Sequence, residues 1–214
     1  MMFRYLSGVC NEYARDLAVT HGLGLMLQPR SYKPSRAEAY PVNAVDNGAF
    51  TPPGQPDRFE RSKWLRYLDR CARSALFAVA PDVPYDWAAS WARTEPYVDV
   101  IRDMGFPVAV AMQNGVTATT VPWDALDVVF LGGDTEWKLG TDALYIANAA
   151  RDRGVHVHMG RANSAKRFVR AIAMGCDSAD GTFLKHGPPK LMADRLRAML
   201  DEVYRLDGHQ LALA

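Results

Sequence analysis

Three aspartates stand where short apolar runs give way to polar, glycine-bearing segments. Asp46 opens Asp46-Asn47-Gly48-Ala49-Phe50, Asp82 follows the run from Ala75 to Pro81, and Asp180 lies in Asp177-Ser178-Ala179-Asp180-Gly181-Thr182. Other runs end in Gln113-Asn114-Gly115, in Gly132-Gly133-Asp134 and in His158-Met159-Gly160-Arg161-Ala162-Asn163. Carboxylates gathered in one pocket can divide the labour of a group transfer. One attacks an electron-poor carbon, and another gives or takes the proton. Taken singly, each residue has a plainer reading: Asp and Asn after a strand cap helices or form turns, and glycine supplies a positive φ. A turn needs only one such residue, and here nearly every run ends in a cluster.

These clusters act together only if the runs before them are strands that end on one face. The runs Tyr5–Cys10, Gly24–Gln28, Val42–Asp46, Ala75–Ala80, Val108–Met112, Val128–Leu131, Val155–Met159 and Ser178–Asp180 read as strands. Several are continuously apolar, as strands buried on both faces of a parallel sheet are. Helical patterns fall between them, over Asn11–Thr20, Asp57–Arg73, Asp86–Met104 (broken near Pro96), Thr141–Arg153, Ser164–Met174 and Pro189–Leu206. In Asp57–Arg73, Phe59, Trp64, Leu65, Leu68 and Ala72 share a face, while Gly154 and Gly175 mark helix ends. Alternation of about eight strands with helices predicts a compact (β/α)8 TIM-like barrel, an α/β fold whose strands converge at their C-terminal ends. The stretch from Pro29 to Pro41 is too short for a helix with two loops, so one unit is expected to be degenerate. An open doubly wound sheet would call for a glycine-rich phosphate loop, and neither G-x-G-x-x-G nor G-x-x-x-x-G-K-S/T occurs.

The 214 residues are 49% hydrophobic, enough for one domain with a sizeable core, so residues 1–214 are read as a single barrel domain. A formal net charge of +1 excludes a globally basic nucleic-acid binder and leaves room only for a local patch. Cys10, Cys71 and Cys176 are scattered, without disulfide or zinc spacing, and no metal is expected. With no signal peptide and no membrane span in view, a reducing cytoplasm is the expected compartment.

The ordered segments resemble those of the tRNA-guanine transglycosylases from about residue 40 to 185. Asp46-Asn47-Gly48-Ala49-Phe50 is similar to that family's D-S-G-(G/S)-F segment, Asp82 to its base-recognising aspartate, and Gln113-Asn114-Gly115 to its V-Q-G-G segment. Gly132-Gly133 matches the start of G-G-L-A-V-G, His158-Met159-Gly160 stands where Y-L-M-G would, and Gly175-Cys176-Asp177-Ser178-Ala179-Asp180-Gly181 resembles the G-x-D-M-F-D-C nucleophile segment. The C-x-C-x-x-C…H zinc module is absent, and the late loops look closer to the compact phage and bacterial branch that inserts 7-deazaguanine bases into DNA.

The resemblance implies a glycosyltransferase that replaces guanine in DNA through a covalent aspartyl-deoxyribosyl intermediate. It makes Asp180 the nucleophile and Asp46 the acid/base. Asp82, Gln113, Asn47, Met159 and the backbone of Gly132 and Gly133 would recognise an extruded base. Arg161 and Lys138 would hold phosphates, with Trp137 and His158 available for stacking. It implies no cofactor. The partners would be DNA rather than tRNA, a free guanine or 7-deazaguanine base, and a protein partner aiding DNA binding, with no membrane. Three other readings remain beside it: a tRNA-acting enzyme of the same chemistry, a catalytically silent nucleic-acid-binding subunit, and a phosphate-binding barrel lyase or isomerase using late-strand glycines.

Overall fold

The computed structural model describes residues 3–7, 16, 19–20, 22–30, 33–51, 55, 57, 59–184 and 187–212. Eight parallel strands close into a barrel in chain order: β1 (Arg4–Ser7), β2 (Gly24–Leu27), β3 (Asn43–Val45), β4 (Ala78–Val79), β5 (Val108–Met112), β6 (Val128–Leu131), β7 (His156–Met159) and β8 (Ser178–Gly181). The last strand returns to the first, with Leu6 opposite Asp180. This is the expected (β/α)8 TIM-like architecture.

Side-chain alternation builds two layers from each strand. In β5, Val108, Val110 and Met112 enter the shell between strands and helices. Ala109 and Ala111 face the lumen with Leu6, Met26, Ala44, Phe77, Val79 and Val128. The small alanines leave space that Phe77 and Phe130 fill, edge to face with centroids 6.4 Å apart. One step further along these inward rows come polar or glycine residues. Asp46 lies two beyond Ala44, Gln113 two beyond Ala111, Gly132 two beyond Phe130, and Asp180 two beyond Ser178. The pleat thus aims the polar clusters at one mouth.

The surrounding helices are α1 (Arg61–Asp69), α2 (Trp87–Thr94), α3 (Val98–Asp103), α4 (Thr135–Leu139), α5 (Thr141–Asp152), α6 (Ala165–Ala173) and α7 (Pro189–Ala212). Asp86, Asp134 and Ser164 cap α2, α4 and α6 by accepting from the N–H of Ala89, Trp137 and Arg167. The break expected near Pro96 is a 3₁₀ turn over Glu95–Tyr97. The degenerate unit is another, Pro34–Ala39, between β2 and β3.

Some boundaries differ. α1 is shorter than Asp57–Arg73 because Arg73 folds back and donates to the carbonyls of Leu68 (3.1 Å) and Cys71 (2.7 Å). β4 is much shorter than Ala75–Ala80; beyond it the flanks make single bonds, from Leu76 N to Asn43 O, from Val45 N to Phe77 O and from Ala80 N to Ala109 O. Most of the helix expected over Asn11–Thr20, the end of the first expected strand and Cys10 lie outside the described residues. Cys71 and Cys176 are buried and free. No helix among the described residues is long and apolar enough to cross a membrane.

Candidate active site

A cavity of about 70 Å³ opens at the C-terminal mouth of the barrel, lined by Asp46, Asn47, Asp82, Gln113, Arg161 and Asp180 among others. Three carboxylates therefore share one small space. The Asp46 carboxyl is pushed up to about 7, first by burial and then by the charges of Asp180 and Asp82. The backbone N–H groups of Gly48 and Asn47 oppose the shift. Gln28 donates to its Oδ2 at 3.3 Å.

Asp82 is fixed by two amides. Asn47 Nδ2 donates to its Oδ1 (2.9 Å) and Gln113 Nε2 to its Oδ2 (2.6 Å). Burial raises its pKa, while these two hydrogen bonds, Arg93 and Arg161 act the other way. Asn47 also donates to Ala80 O and accepts from Ala49 N, and Gln113 Oε1 accepts from Tyr85 N at 2.9 Å. Gly132 is required here, because a Cβ on it would stand 2.7 Å from Gln113 Nε2.

Asp180 Oδ1 accepts from the backbone N–H of Arg161 (3.0 Å) and faces His158 Nε2 (3.2 Å). The fully buried imidazole stacks on Phe130 at 4.8 Å. Its Nδ1 meets Ser178 Oγ at 2.8 Å, and the same hydroxyl lies 2.7 Å from His156 Nε2. When Asp180 is ionised it can only accept, so His158 Nε2 carries the hydrogen between them. Four lumen-facing side chains thus form one hydrogen-bonded row.

Arg161 stands at the mouth with φ of 58°. Its Nη2 donates to the carbonyls of Gly132 (2.5 Å) and Gly133 (2.7 Å), and its Nη1 to Tyr85 Oη (2.9 Å). The guanidinium also lies 4.6 Å from the Phe50 ring centre. It is a positioned cation facing three carboxyls.

The structure thus brings Asp46, Asn47, Asp82, Gln113, Gly132, Arg161 and Asp180 together, with His158 directly behind Asp180. Gly133 adjoins the group, where a Cβ would collide with the Trp137 ring. Met159 does not face the cavity: alternation puts it in the outer shell of β7 with Val157. Lys138 is no surface phosphate ligand, because it is buried and its Nζ donates to Gly160 O at 2.7 Å. Burial, then the charges of Arg161 and Arg167, lower its pKa to about 7. Trp137 is half-buried and packs on Gly133, whereas His158 is fully buried among rings and Ser178 and offers no free face for stacking a base. Sequence reasoning gave no role to Tyr85, Ser178 or His156. The last two were within reach, since Ser178 and Asp180, like His156 and His158, alternate onto one strand face. Among the described residues, no group of three or more His, Cys, Asp and Glu side chains is arranged to hold a metal ion.

No family model matches the chain, and neither does any curated protein. Solved structures do match. One, described as a cube-shaped, highly porous protein cage designed by fusing symmetric oligomeric domains, is 14% identical with a TM-score of 0.59, over 99% of this chain and 74% of that one. Another, described as native KDPGal, is 15% identical with a TM-score of 0.55, over 95% and 93%. A mandelate oxidase variant with 2-hydroxy-phenylacetamide is 12% identical with a TM-score of 0.62, over 97% and 73%. At such identities the likeness is one of fold.

These findings overturn the resemblance to the tRNA-guanine transglycosylases, and with it the glycosyltransferase and DNA-modification reading in both its DNA and tRNA forms. No family model supports it, and the matched barrels carry other descriptions. The site gives physical reasons. The N–H groups of Gly132 and Gly133, assigned to a base oxygen, both donate to Met112 O at 2.9 and 3.0 Å. Both oxygens of Asp82 are engaged by amides.

Proposed function

We propose that this barrel is an acid–base enzyme for a small organic molecule, a lyase or isomerase that moves a proton from a carbon next to a carbonyl or carboxylate. The observation that carries this reading is the sharing of one small cavity by Asp46, raised to about 7, and Asp180. A carboxyl poised near neutrality serves as base in one half-reaction and acid in the other.

In this reading Asp46 takes the proton from carbon. The electron pair left behind moves onto the adjacent oxygen, which Arg161 holds by charge and by N–H groups not engaged in its protein contacts. Asp46 then returns that proton to the neighbouring carbon for isomerisation, or to a leaving oxygen for elimination, while Asp180, held by the Arg161 N–H and His158, keeps Asp46 basic enough through its charge. Asp82 acts through its neighbours, fixing the Asn47 and Gln113 amides. The shared fold raises the prior for a barrel enzyme and does not choose the reaction.

The test follows carbon-bound hydrogen by proton NMR in D2O, using a panel of small 2-hydroxy and 2-keto acids and their phosphorylated counterparts. Wild-type protein should wash deuterium into the position next to the carbonyl or eliminate across it, and Asp46→Asn should not. A carboxyl 13C titration of Asp46 accompanies it. Silence across the panel together with an ordinary carboxylate midpoint would end this proposal.

A further inference from the structure

Among the described residues, two other than glycine have a left-handed backbone: Tyr85, with φ of 69°, and Arg161, with φ of 58°. That conformation is costly for a residue with a Cβ and persists only where surrounding contacts impose it. The two stand in the segments after β4 and β7, three strands apart around the barrel. Yet they meet, because Arg161 Nη1 donates to Tyr85 Oη at 2.9 Å.

Both backbones are pinned from the catalytic face. Gln113 Oε1 accepts from Tyr85 N, and the same amide donates to Asp82. Before Tyr85, the Ser90 hydroxyl engages both the N–H and the carbonyl of Val83; after it, Asp86 caps α2. On the other side, Arg161 N and Ala162 N donate to the side chain and the carbonyl of Asp180, and Lys138 Nζ donates to Gly160 O. The Tyr85 ring also meets Phe50 edge to face, with centroids 6.4 Å apart. Its hydroxyl therefore stands at a fixed place beside the guanidinium.

A donor count gives this contact its chemical meaning. A guanidinium has five N–H groups, and it grips a carboxylate through two parallel ones, in a fork. Both forks include Nη2. In Arg161 that nitrogen already serves the carbonyls of Gly132 and Gly133, and one Nη1 hydrogen serves Tyr85. The Nε–H and the second Nη1 hydrogen remain, on different edges of the plane. Arg161 thus keeps its charge and single N–H groups, which suit one oxygen rather than a carboxylate pair.

We propose that Tyr85 is the positioning residue of Arg161: its hydroxyl, with the two glycine carbonyls, holds the guanidinium so that it meets a single substrate oxygen. The group that activates the substrate is then a ketone or aldehyde carbonyl rather than a carboxylate. That choice of substrate rests on the proton-transfer reading; the hold of Tyr85 on Arg161 does not.

The experiment compares the full chain with Tyr85→Phe, which deletes the hydroxyl and keeps the ring. Arginine side-chain 15N NMR reads the hold directly, with the Arg161 signals assigned by their loss in Arg161→Lys. Rotation about the guanidinium C–N bonds should be slow in the wild type and about tenfold faster or more in Tyr85→Phe. With the 2-keto acid that exchanges fastest, kcat should fall about tenfold and KM should hold, since the oxygen is gripped most strongly once the electron pair has reached it. The Asp46 midpoint should stay in place, because Tyr85 is not among the groups that displace it. Unchanged Arg161 rotation would overturn the proposal, and so would a moved Asp46 midpoint, which would make the lost rate a general loosening. A saturable shift of the wild-type Arg161 signals by acetate would overturn it too, by showing a fork open to carboxylate. Faster rotation in Tyr85→Phe, in a protein that exchanges no member of the panel, would remove the acid–base reading and leave the role of Tyr85 standing. Full-rate exchange in Tyr85→Phe would do the reverse.

Discussion

Asp46 exemplifies a residue held at a cost for its chemistry. Its folded value of about 7 lies above the ordinary 3.8, so between these values the folded state holds more proton than the unfolded one. Stability contributed by the neutral carboxyl is present at low pH and is lost as pH rises toward 7. The shift corresponds to at most ~4 kcal/mol, less whatever solvent relaxation removes. Asp46→Asn should therefore abolish exchange and yet raise the melting temperature at pH 8, by roughly 2–4 °C for each kcal/mol recovered. Calorimetry of the two proteins checks this, and a lowered melting temperature would contradict it. Ser178 works at one remove, as a positioning residue. Ser178→Ala should leave His158 Nδ1 without its hydroxyl partner and lower the exchange rate about tenfold or more. It should also displace the acidic limb of the pH–rate profile, which follows Asp46 through the Asp180 charge, a change that simple loosening of the fold would not produce. The carboxyls themselves were legible, because each stands at the end of a run. Arg161 was legible as a rim residue, but its left-handed backbone and the reach of its side chain to Tyr85 depend on tertiary contacts that no spacing encodes.

Among the elements, the parts read best from sequence are those under the strongest constraint. Val108–Met112 and Val128–Leu131 have the ends expected of them, since strands buried on both faces admit no polar residue until they stop. β4 escaped because apolar character extends beyond the hydrogen-bonded ladder, and the last turn of α1 because Arg73 takes its carbonyls. The caps carry their own test. Asp134 Oδ1 accepts from Trp137 N at 2.9 Å and its Oδ2 from Asn114 Nδ2 at 2.7 Å, tying α4 to the end of β5. Asp134→Ala should destabilise the barrel by ~1–2 kcal/mol in urea unfolding. An unchanged midpoint would mean that the cap is idle.

For the whole molecule, buried charge shapes the dependence of stability on pH. Asp46 and Asp82 are both raised, so each withdraws stability as pH climbs. His156, lowered to about 4, acts oppositely between that value and its ordinary 6.5, because the unfolded chain then binds the extra proton. Lys138, lowered from 10.5 to about 7, adds stability as pH rises from 7 toward 10.5. Above neutrality the Lys138 contribution is the rising one, so the urea midpoint should climb from pH 7 to pH 9, and Lys138→Met should flatten that climb. A midpoint that does not climb would refute this assignment.

One side chain roofs the cavity. Arg161 spans from its own position after β7 to the carbonyls after β6 and to Tyr85 after β4, while its main chain holds Asp180. The width of the entrance is therefore decoupled from the barrel that carries it. Shortening this residue would enlarge the mouth without touching a strand, but it would also take away the charge that holds the substrate oxygen, so what the entrance admits and what the site can transform are tied to the same side chain.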